Sequence, residues 1–277
     1  MNIKVVIATH KQYEMPSDKM YIPVQVGRAV NKTPLPYIGD NSGKNISWKN
    51  ANYCELTAVY WAWKNLNADY IGLAHYRRHF CVNPWYLGLT KNKANKVMTL
   101  DKASKLLDKY DVILPKKRHY WIETLMSHYQ HTHQIKDLKA TRSIIKIKYP
   151  QYIGSFDKVM NRKSAHMFNM FIMRRDIFER YSEWLFDILL QLEKQIDISD
   201  YSPCEARVFG YISELLLDVW LDRNPINYTE MPVMFMEKQN WFKKIAKFIR
   251  NKYLSHDTMI DSQVHEKNDK VSVVKVR

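Results

Sequence analysis

A run of basic and aromatic residues follows an apolar segment that has the length of a buried strand. The segment spans 69–74, and the run reads His75-Tyr76-Arg77-Arg78. A guanidinium presents a planar fork of donors that matches phosphate oxygens, and a diphosphate leaving group develops negative charge as its bond breaks. Arg77 and Arg78 are therefore candidates for binding a diphosphate, with surface or acid-paired arginines as the alternative.

The turn-rich stretch 38–47 carries Asp40, Asn41 and Asn45 among glycines. These side chains suit hydrogen bonds to a ribose or a base where the backbone approaches closely. Ordinary turn chemistry accounts for the same residues, so the pattern alone leaves both interpretations open.

Three histidines, His128, His131 and His133, lie close together in the chain. No carboxylate stands at the spacing of a HExxH zinc helix, so we expect no metal site here. The alternative is acid-base catalysis or sugar binding by one histidine that Asp137 or Glu123 holds in place.

The Asp-x-Asp pair with which many nucleotide-sugar transferases hold a divalent cation is also missing. Arginines could neutralise the diphosphate in place of that cation. The sequence leaves open whether Mn²⁺ or Mg²⁺ is a cofactor.

The elements that must position these residues alternate between strands and helices. Apolar runs predict strands over 3–8, 69–74, 112–114 and 167–173. Helical periodicity begins at Leu56, and further helices are predicted over 122–149, 175–195 and 203–223. This order predicts an α/β fold, with one domain over 1–236.

Composition narrows the class of protein. The 277 residues are 46% hydrophobic and 26% charged, which is typical of a globular chain. A net charge of +15 favours acidic partners, and 3 scattered cysteines indicate a reducing compartment. The chain contains no uninterrupted apolar run of about 18 residues, so we expect neither a secretion signal nor a membrane-spanning helix.

The segment 237–254 differs from the rest. Trp241, Phe242, Ile245, Phe248 and Ile249 fall on one helical face, with lysines and arginines elsewhere and no acidic residue over 238–254. Such a basic amphipathic helix can lie on an anionic membrane surface, although docking on its own domain is equally consistent. Residues 255–277 are polar and aperiodic, which predicts a disordered tail.

Several separated stretches resemble a family of bacterial glycosyltransferases from capsule, exopolysaccharide and O-antigen synthesis that includes galactofuranosyltransferases. The stretches are IATHK (7–11), MPSDKMYIPVQVGRA (15–29), IGDNSGKNISWKN (38–50), YCELTAVYWAWKN (53–65), ADYIGLAHYRRHF (68–80), FNMFIMRRDIF (168–178) and ARVFGYISELLLDVWL (206–221). The resemblance implies a GT-A-like nucleotide-diphosphosugar fold with a mixed central sheet flanked by helices. It also implies a UDP-sugar donor and a lipid-linked or growing polysaccharide acceptor.

The resemblance also assigns residues to the two substrates. On the donor side it implies Thr9, His10, Asp40, Asn41 and Asn45 at the nucleotide, with His75, Arg77 and Arg78 near the diphosphate. Asn169 and Arg207 would approach the acceptor. An inverting transferase needs a base for the acceptor hydroxyl, and the candidates are Glu205, Glu214, Asp137 and His128.

The functional hypothesis is a cytoplasmic glycosyltransferase, peripheral on the inner face of the membrane, that transfers galactose or galactofuranose. One rival is a basic nucleic-acid-binding protein, which is disfavoured because no RNP, KH or finger signature occurs. The other is a transferase-like scaffold without activity. We therefore expect no nucleic-acid partner.

Overall fold

A computed structural model describes residues 1–82, 93 and 96–237. The predicted helix over 237–254 and tail over 255–277 lie outside the described residues, apart from Glu237. None of the helices in the described ranges combines the length and the apolar character needed to cross a bilayer.

The described residues form a large mixed sheet and a small two-stranded sheet. The strands, in chain order, are β1 (Ile3–Thr9), β2 (Tyr21–Gln25), β3 (Ile38–Gly39), β4 (Tyr70–His75), β5 (Arg78–Phe80), β6 (Val112–Pro115), β7 (Arg118–His119), β8 (Ser164–Ala165), β9 (Phe171–Arg174), β10 (Tyr228–Met231) and β11 (Val233–Phe235).

Helices cover the sheet and connect its strands. They are α1 (Asn50–Tyr53), α2 (Leu56–Asn65), α3 (Leu100–Leu107), α4 (Leu125–Thr132), α5 (Ile135–Lys148), α6 (Ile153–Met160), α7 (Arg175–Gln195) and α8 (Val208–Arg223). A 3₁₀ turn, Glu205–Arg207, leads directly into α8.

The main sheet has the strand order β10-β6-β9-β4-β1-β2-β3. Neighbours are parallel except for β9, which runs antiparallel to both β4 and β6. The hairpin strand β5 pairs with β4 and carries β11 on its other edge. This arrangement confirms the predicted α/β fold with a mixed central sheet.

Both faces of the central strands are buried, which explains their continuous apolar sequences. In β1, Val6 and Ala8 join the large core beneath α2 and the later helices, while Val5 and Ile7 join the smaller core near α3. The chain moves from β1 to β2 on one side, and β4 pairs with β1 on the other, with Ala8 opposite His75. The carboxyl ends of β1 and β4 therefore meet at a topological switch point, where open α/β sheets bind ligands.

Two predicted elements were wrong in extent. The helix predicted over 122–149 is two helices, α4 and α5, because His133 adopts an extended conformation and stacks on Tyr211 with ring centroids 4.1 Å apart. The strand predicted over 167–173 begins only at Phe171, because Phe168 and Asn169 have positive φ angles of 79° and 54°. Both differences arise from contacts with segments distant in sequence.

The close packing of β4 yields a stability prediction. A Cβ at Gly72 would lie 2.7 Å from the Phe171 carbonyl oxygen and 2.8 Å from Ile172 Cγ1. We expect Gly72→Ala to lower the free energy of unfolding by roughly 1–3 kcal/mol, because overpacking moves a neighbouring strand. Urea unfolding measures the change.

Gly154 in α6 is the matched control, because nothing lies within 4 Å of a Cβ built there. Gly154→Ala should stabilise the protein by about 0.5–1 kcal/mol through helix propensity. Equal effects of the two substitutions would contradict the packing described for β4.

Candidate active site

The carboxyl ends of β1 and β4 meet at the switch point, and the cleft is the region outside these two ends. Thr9 is buried, and its hydroxyl donates to the Lys11 carbonyl at 2.6 Å, which turns the chain and leaves His10 exposed. The His10 ring contacts Tyr76 edge-on with centroids 5.2 Å apart. Burial, then the charges of Lys11, Arg77 and Arg207, lower the pKa of His10. Basic groups from three segments therefore converge beside this histidine.

The backbone of Phe168 acts on two ionisable side chains of the cleft. The Nε2 of His75 lies 2.7 Å from the Phe168 carbonyl oxygen, so this nitrogen carries the proton and donates it. The same backbone lowers the pKa of Glu214 on α8, against the effect of burial. One residue of the loop before β9 thus influences a histidine from β4 and a glutamate from α8.

Asn169 anchors this loop. Its Nδ2 donates to Glu55 Oε1 at 2.8 Å and to the Gly210 carbonyl at 3.2 Å, and its Oδ1 accepts from the Ser213 hydroxyl at 2.9 Å. Asparagine tolerates the left-handed conformation better than most residues, but phenylalanine at 168 does not. Strain of this kind, about 1–3 kcal/mol, persists where surrounding contacts enforce it and is concentrated at functional sites.

Arg78 enters the cleft with an unused donor. Its guanidinium carbon lies 4.6 Å from the Phe168 ring centroid and 5.7 Å from that of Phe235. Its Nε is buried and has no hydrogen-bond partner among the described residues. Since an unpaired buried donor is costly, this nitrogen is available to an acceptor that the described residues do not supply.

Glu214 is half-buried and electrostatically unusual. Burial, followed by the charge of Glu55, raises its pKa to about 8, while Arg78, the Phe168 N–H and Arg118 act in the opposite direction. Burial also lowers the pKa of His75, against the effect of Glu55. The cleft therefore combines a neutral histidine, a carboxyl group that titrates near neutral pH and an arginine.

A histidine pair borders the same cleft. Glu123 is buried, and its two oxygens accept from His128 Nδ1 at 3.1 Å and from His131 Nδ1 at 2.9 Å. The ring of His128 lies against Tyr120, with centroids 4.2 Å apart. The charge of Arg118 acts on both His128 and Glu214, which connects the pair to the carboxyl group of α8.

A family profile described as a domain of unknown function (DUF4422) matches residues 4–225. The chain belongs to this family. A search of curated proteins finds no match.

One solved structure with a similar fold is the apo form of WbbM, a bifunctional glycosyltransferase. It superposes with a TM-score of 0.77 at 30% sequence identity, covering 86% of this chain and 46% of WbbM. The chain thus spans less than half the length of that protein. Together with the strand order, this similarity shows that the DUF4422 chain has a GT-A-like fold.

Several residues predicted for the donor side are engaged within their own loop. Asp40 is fully buried and accepts from the N–H groups of Gly27 and Arg28 and from the Ser47 hydroxyl. Asn45 donates to two carbonyls of the 41–43 turn. The side chain of Asn41 is exposed. Asp40 and Asn45 therefore shape the loop with their own hydrogen bonds.

The predicted acceptor-side residues are divided by the structure. Glu205 accepts from Ser202 and from Gln134 Nε2, so it closes the turn before α8. Asp137 is buried and accepts from the Tyr201 hydroxyl at 2.9 Å. Arg207 donates to Cys54 Sγ at 3.1 Å.

The predicted carboxylates therefore occupy different places. Glu214 lies near His75 and Arg78, whereas Glu205 and Asp137 have structural partners elsewhere.

Some contributors to the site carry little signal in the sequence. Glu55 was recognisable only as a residue flanking α2, yet it bonds to Asn169 and acts on both His75 and Glu214. The Phe168 backbone has no residue-type signature at all. Within the described ranges, no group of three or more His, Cys, Asp or Glu residues is arranged to hold a metal ion.

We predict that Glu55→Gln lowers the pKa of Glu214, because the substitution removes the negative charge that raises this pKa and keeps an acceptor for Asn169. A ¹³C NMR titration of glutamate carboxyl groups measures this pKa, with the resonance assigned by its loss in Glu214→Gln. Glu179→Gln, which removes a carboxylate paired with Arg175 on α7, is the control.

The same shift has a stability consequence of defined sign. A carboxyl group whose folded pKa is raised favours the folded state below its unfolded pKa, and this contribution is lost as pH rises towards about 8. Glu55→Gln should therefore flatten the fall in stability between about pH 5 and 8. An unchanged pKa for Glu214, or an equal response to Glu179→Gln, would contradict the described electrostatics.

Proposed function

We propose that this protein is a glycosyltransferase that transfers a hexosyl group from a UDP-sugar to a hydroxyl of a lipid-linked or growing polysaccharide. The observation that carries the proposal is Arg78, whose buried Nε has no partner among the described residues and whose guanidinium lies against the Phe168 ring, close enough to Glu214 for its charge to lower the raised pKa of that carboxyl group. The similarity to part of a bifunctional glycosyltransferase supports the same reaction class.

The proposed reaction follows from these groups. An acceptor oxygen forms a bond to the anomeric carbon while the bond from that carbon to the β-phosphate oxygen breaks. Glu214 in its ionised form receives the acceptor proton, and UDP leaves with the bonding electron pair. Arg78 and Arg77 stabilise the charge that develops on the diphosphate. Attack opposite the leaving group inverts the configuration, and galactofuranose or galactose is the sugar that the resemblance favours.

In this proposal, arginines at the end of β4 neutralise the diphosphate. Many nucleotide-sugar transferases use a carboxylate pair and a divalent cation for this purpose. Arg77 is half-buried and lies 3.8 Å from Glu237, an ion pair that a phosphate could replace. UDP binding should therefore persist in EDTA. Loss of binding that Mn²⁺ or Mg²⁺ restores would show that a cation is required.

The protein also acts at the inner face of the cell membrane in this proposal, where lipid-linked acceptors are found. Support comes from the sequence of 238–254, which combines an apolar helical face with basic residues and contains no acidic residue.

Arg78→Ala should weaken UDP binding by roughly 10- to 100-fold, because charge-assisted hydrogen bonds contribute about 1.5–3 kcal/mol. Arg78→Lys should recover only part of the affinity, because an ammonium lacks the planar fork. Isothermal titration calorimetry measures both affinities, and Arg180→Ala, which changes an exposed arginine on α7, is the matched control. Wild-type affinity in Arg78→Ala would remove the diphosphate role.

Glu214→Gln should lower turnover by roughly 10²- to 10⁴-fold with little effect on UDP affinity, because it removes a general base and keeps the shape. In the wild type, turnover should rise with pH up to about 8, since only the ionised carboxyl accepts a proton. Glu205→Gln is the matched control and should remain active. Normal turnover of Glu214→Gln would direct the search for the base to His128.

A further inference from the structure

An exposed apolar tip lies on the loop that follows β6. We define the 116–122 loop as the residues from Lys116 to Ile122, including β7. At its tip, Trp121 is 79% exposed and Ile122 is 62% exposed. Two adjacent large apolar side chains in water are unfavourable, and an indole prefers a site that is apolar at one end and wet at the other.

The loop holds this tip outward through its backbone. The Ile122 N–H donates to the Tyr120 carbonyl at 2.5 Å, and the central residue, Trp121, has a φ of 48°. Tyr120 is buried, and its N–H donates to the Lys163 carbonyl at 2.8 Å. A strained left-handed conformation at a tryptophan persists only where neighbouring contacts enforce it. The exposure of Trp121 is therefore built into the fold.

Positive charge surrounds the tip. Lys116, Arg118 and Lys163 are exposed, and none of them lies within 4.0 Å of a carboxylate in the described part of the chain. Lys117 is 4.0 Å from Glu230. The neighbouring acid, Glu123, is buried between His128 and His131. The loop therefore presents apolar side chains within a basic surface.

We propose that the 116–122 loop is a membrane-contact element that places Trp121 and Ile122 in the interfacial layer of an anionic phospholipid bilayer. Lys116, Arg118 and Lys163 would then meet the headgroups. Each basic residue near such a surface contributes about 1 kcal/mol, and aromatic side chains concentrate at the headgroup level.

This contact is separate from the 238–254 segment and does not depend on the transferase reaction. It also has an orientation. The charge of Arg118 acts on Glu214, so the base of the loop faces the same side of the molecule as that carboxyl group. A bilayer in contact with Trp121 would lie beside the cleft, on the side where an acceptor attached to a lipid would enter.

Vesicle binding by the full-length protein tests the proposal. Phosphatidylcholine vesicles with and without phosphatidylglycerol are the probes. Trp121→Ala should weaken partitioning onto anionic vesicles roughly tenfold, because it removes the indole that the bilayer would bury. Arg118→Gln should weaken partitioning about fivefold, because it removes one positive charge near the headgroups. Trp48→Ala is the matched control, since Trp48 is 57% exposed on a different surface, and it should bind as the wild type does.

A second measurement reports how deeply Trp121 enters the bilayer, and not how tightly the protein binds. Lipids with brominated acyl chains should quench the fluorescence of the wild type and of Trp48→Phe, and should quench Trp121→Phe less. Wild-type partitioning and quenching in the Trp121 variants would overturn the proposal. Unchanged vesicle binding together with weaker binding of a soluble oligosaccharide would also overturn it, and would identify Trp121 as a glycan contact. Because both readouts measure binding, they are independent of turnover.

Discussion

The candidate site depends on one peptide segment, Phe168–Asn169. The Phe168 carbonyl accepts from His75, and the Asn169 side chain bonds to Gly210 and Ser213 of α8, so this segment joins β4 to α8. Its positive φ angles are held by the side chain of Asn169, which bonds to Glu55, Gly210 and Ser213. A strained turn, rather than a sequence motif, brings the ionisable groups together.

The sheet explains why this turn lies at the switch point. Because β9 is antiparallel to β4, its first residues lie at the edge where β1 and β4 end. The same edge receives the start of α8, whose Gly210 and Ser213 bond to Asn169. Burial on both faces of the central strands fixes their register, since a shift by one residue would exchange the two cores. The strained turn therefore adjoins strands that are buried on both faces.

Sequence reasoning predicted the strands and helices with strong patterns and missed features set by distant contacts. The runs in β1 and β4 are continuous because both faces are buried, and the helix at Leu56 has clear periodicity. The break at His133 results from stacking on Tyr211, which no local pattern encodes. His75, Arg78 and Glu214 could be named by residue type, but the Phe168 backbone could not, because every residue carries the same N–H and carbonyl.

A crystal structure of the full-length protein with UDP tests the central claim most directly. The account predicts the β-phosphate in the cleft, with an oxygen within about 3.2 Å of an Arg78 guanidinium nitrogen and with His75 still bonded to the Phe168 carbonyl. UDP bound elsewhere would contradict it, for example in the aromatic-lined cavity of about 500 Å³ that includes Trp63 and Phe186. So would a complex in which Arg78 makes no contact with the diphosphate.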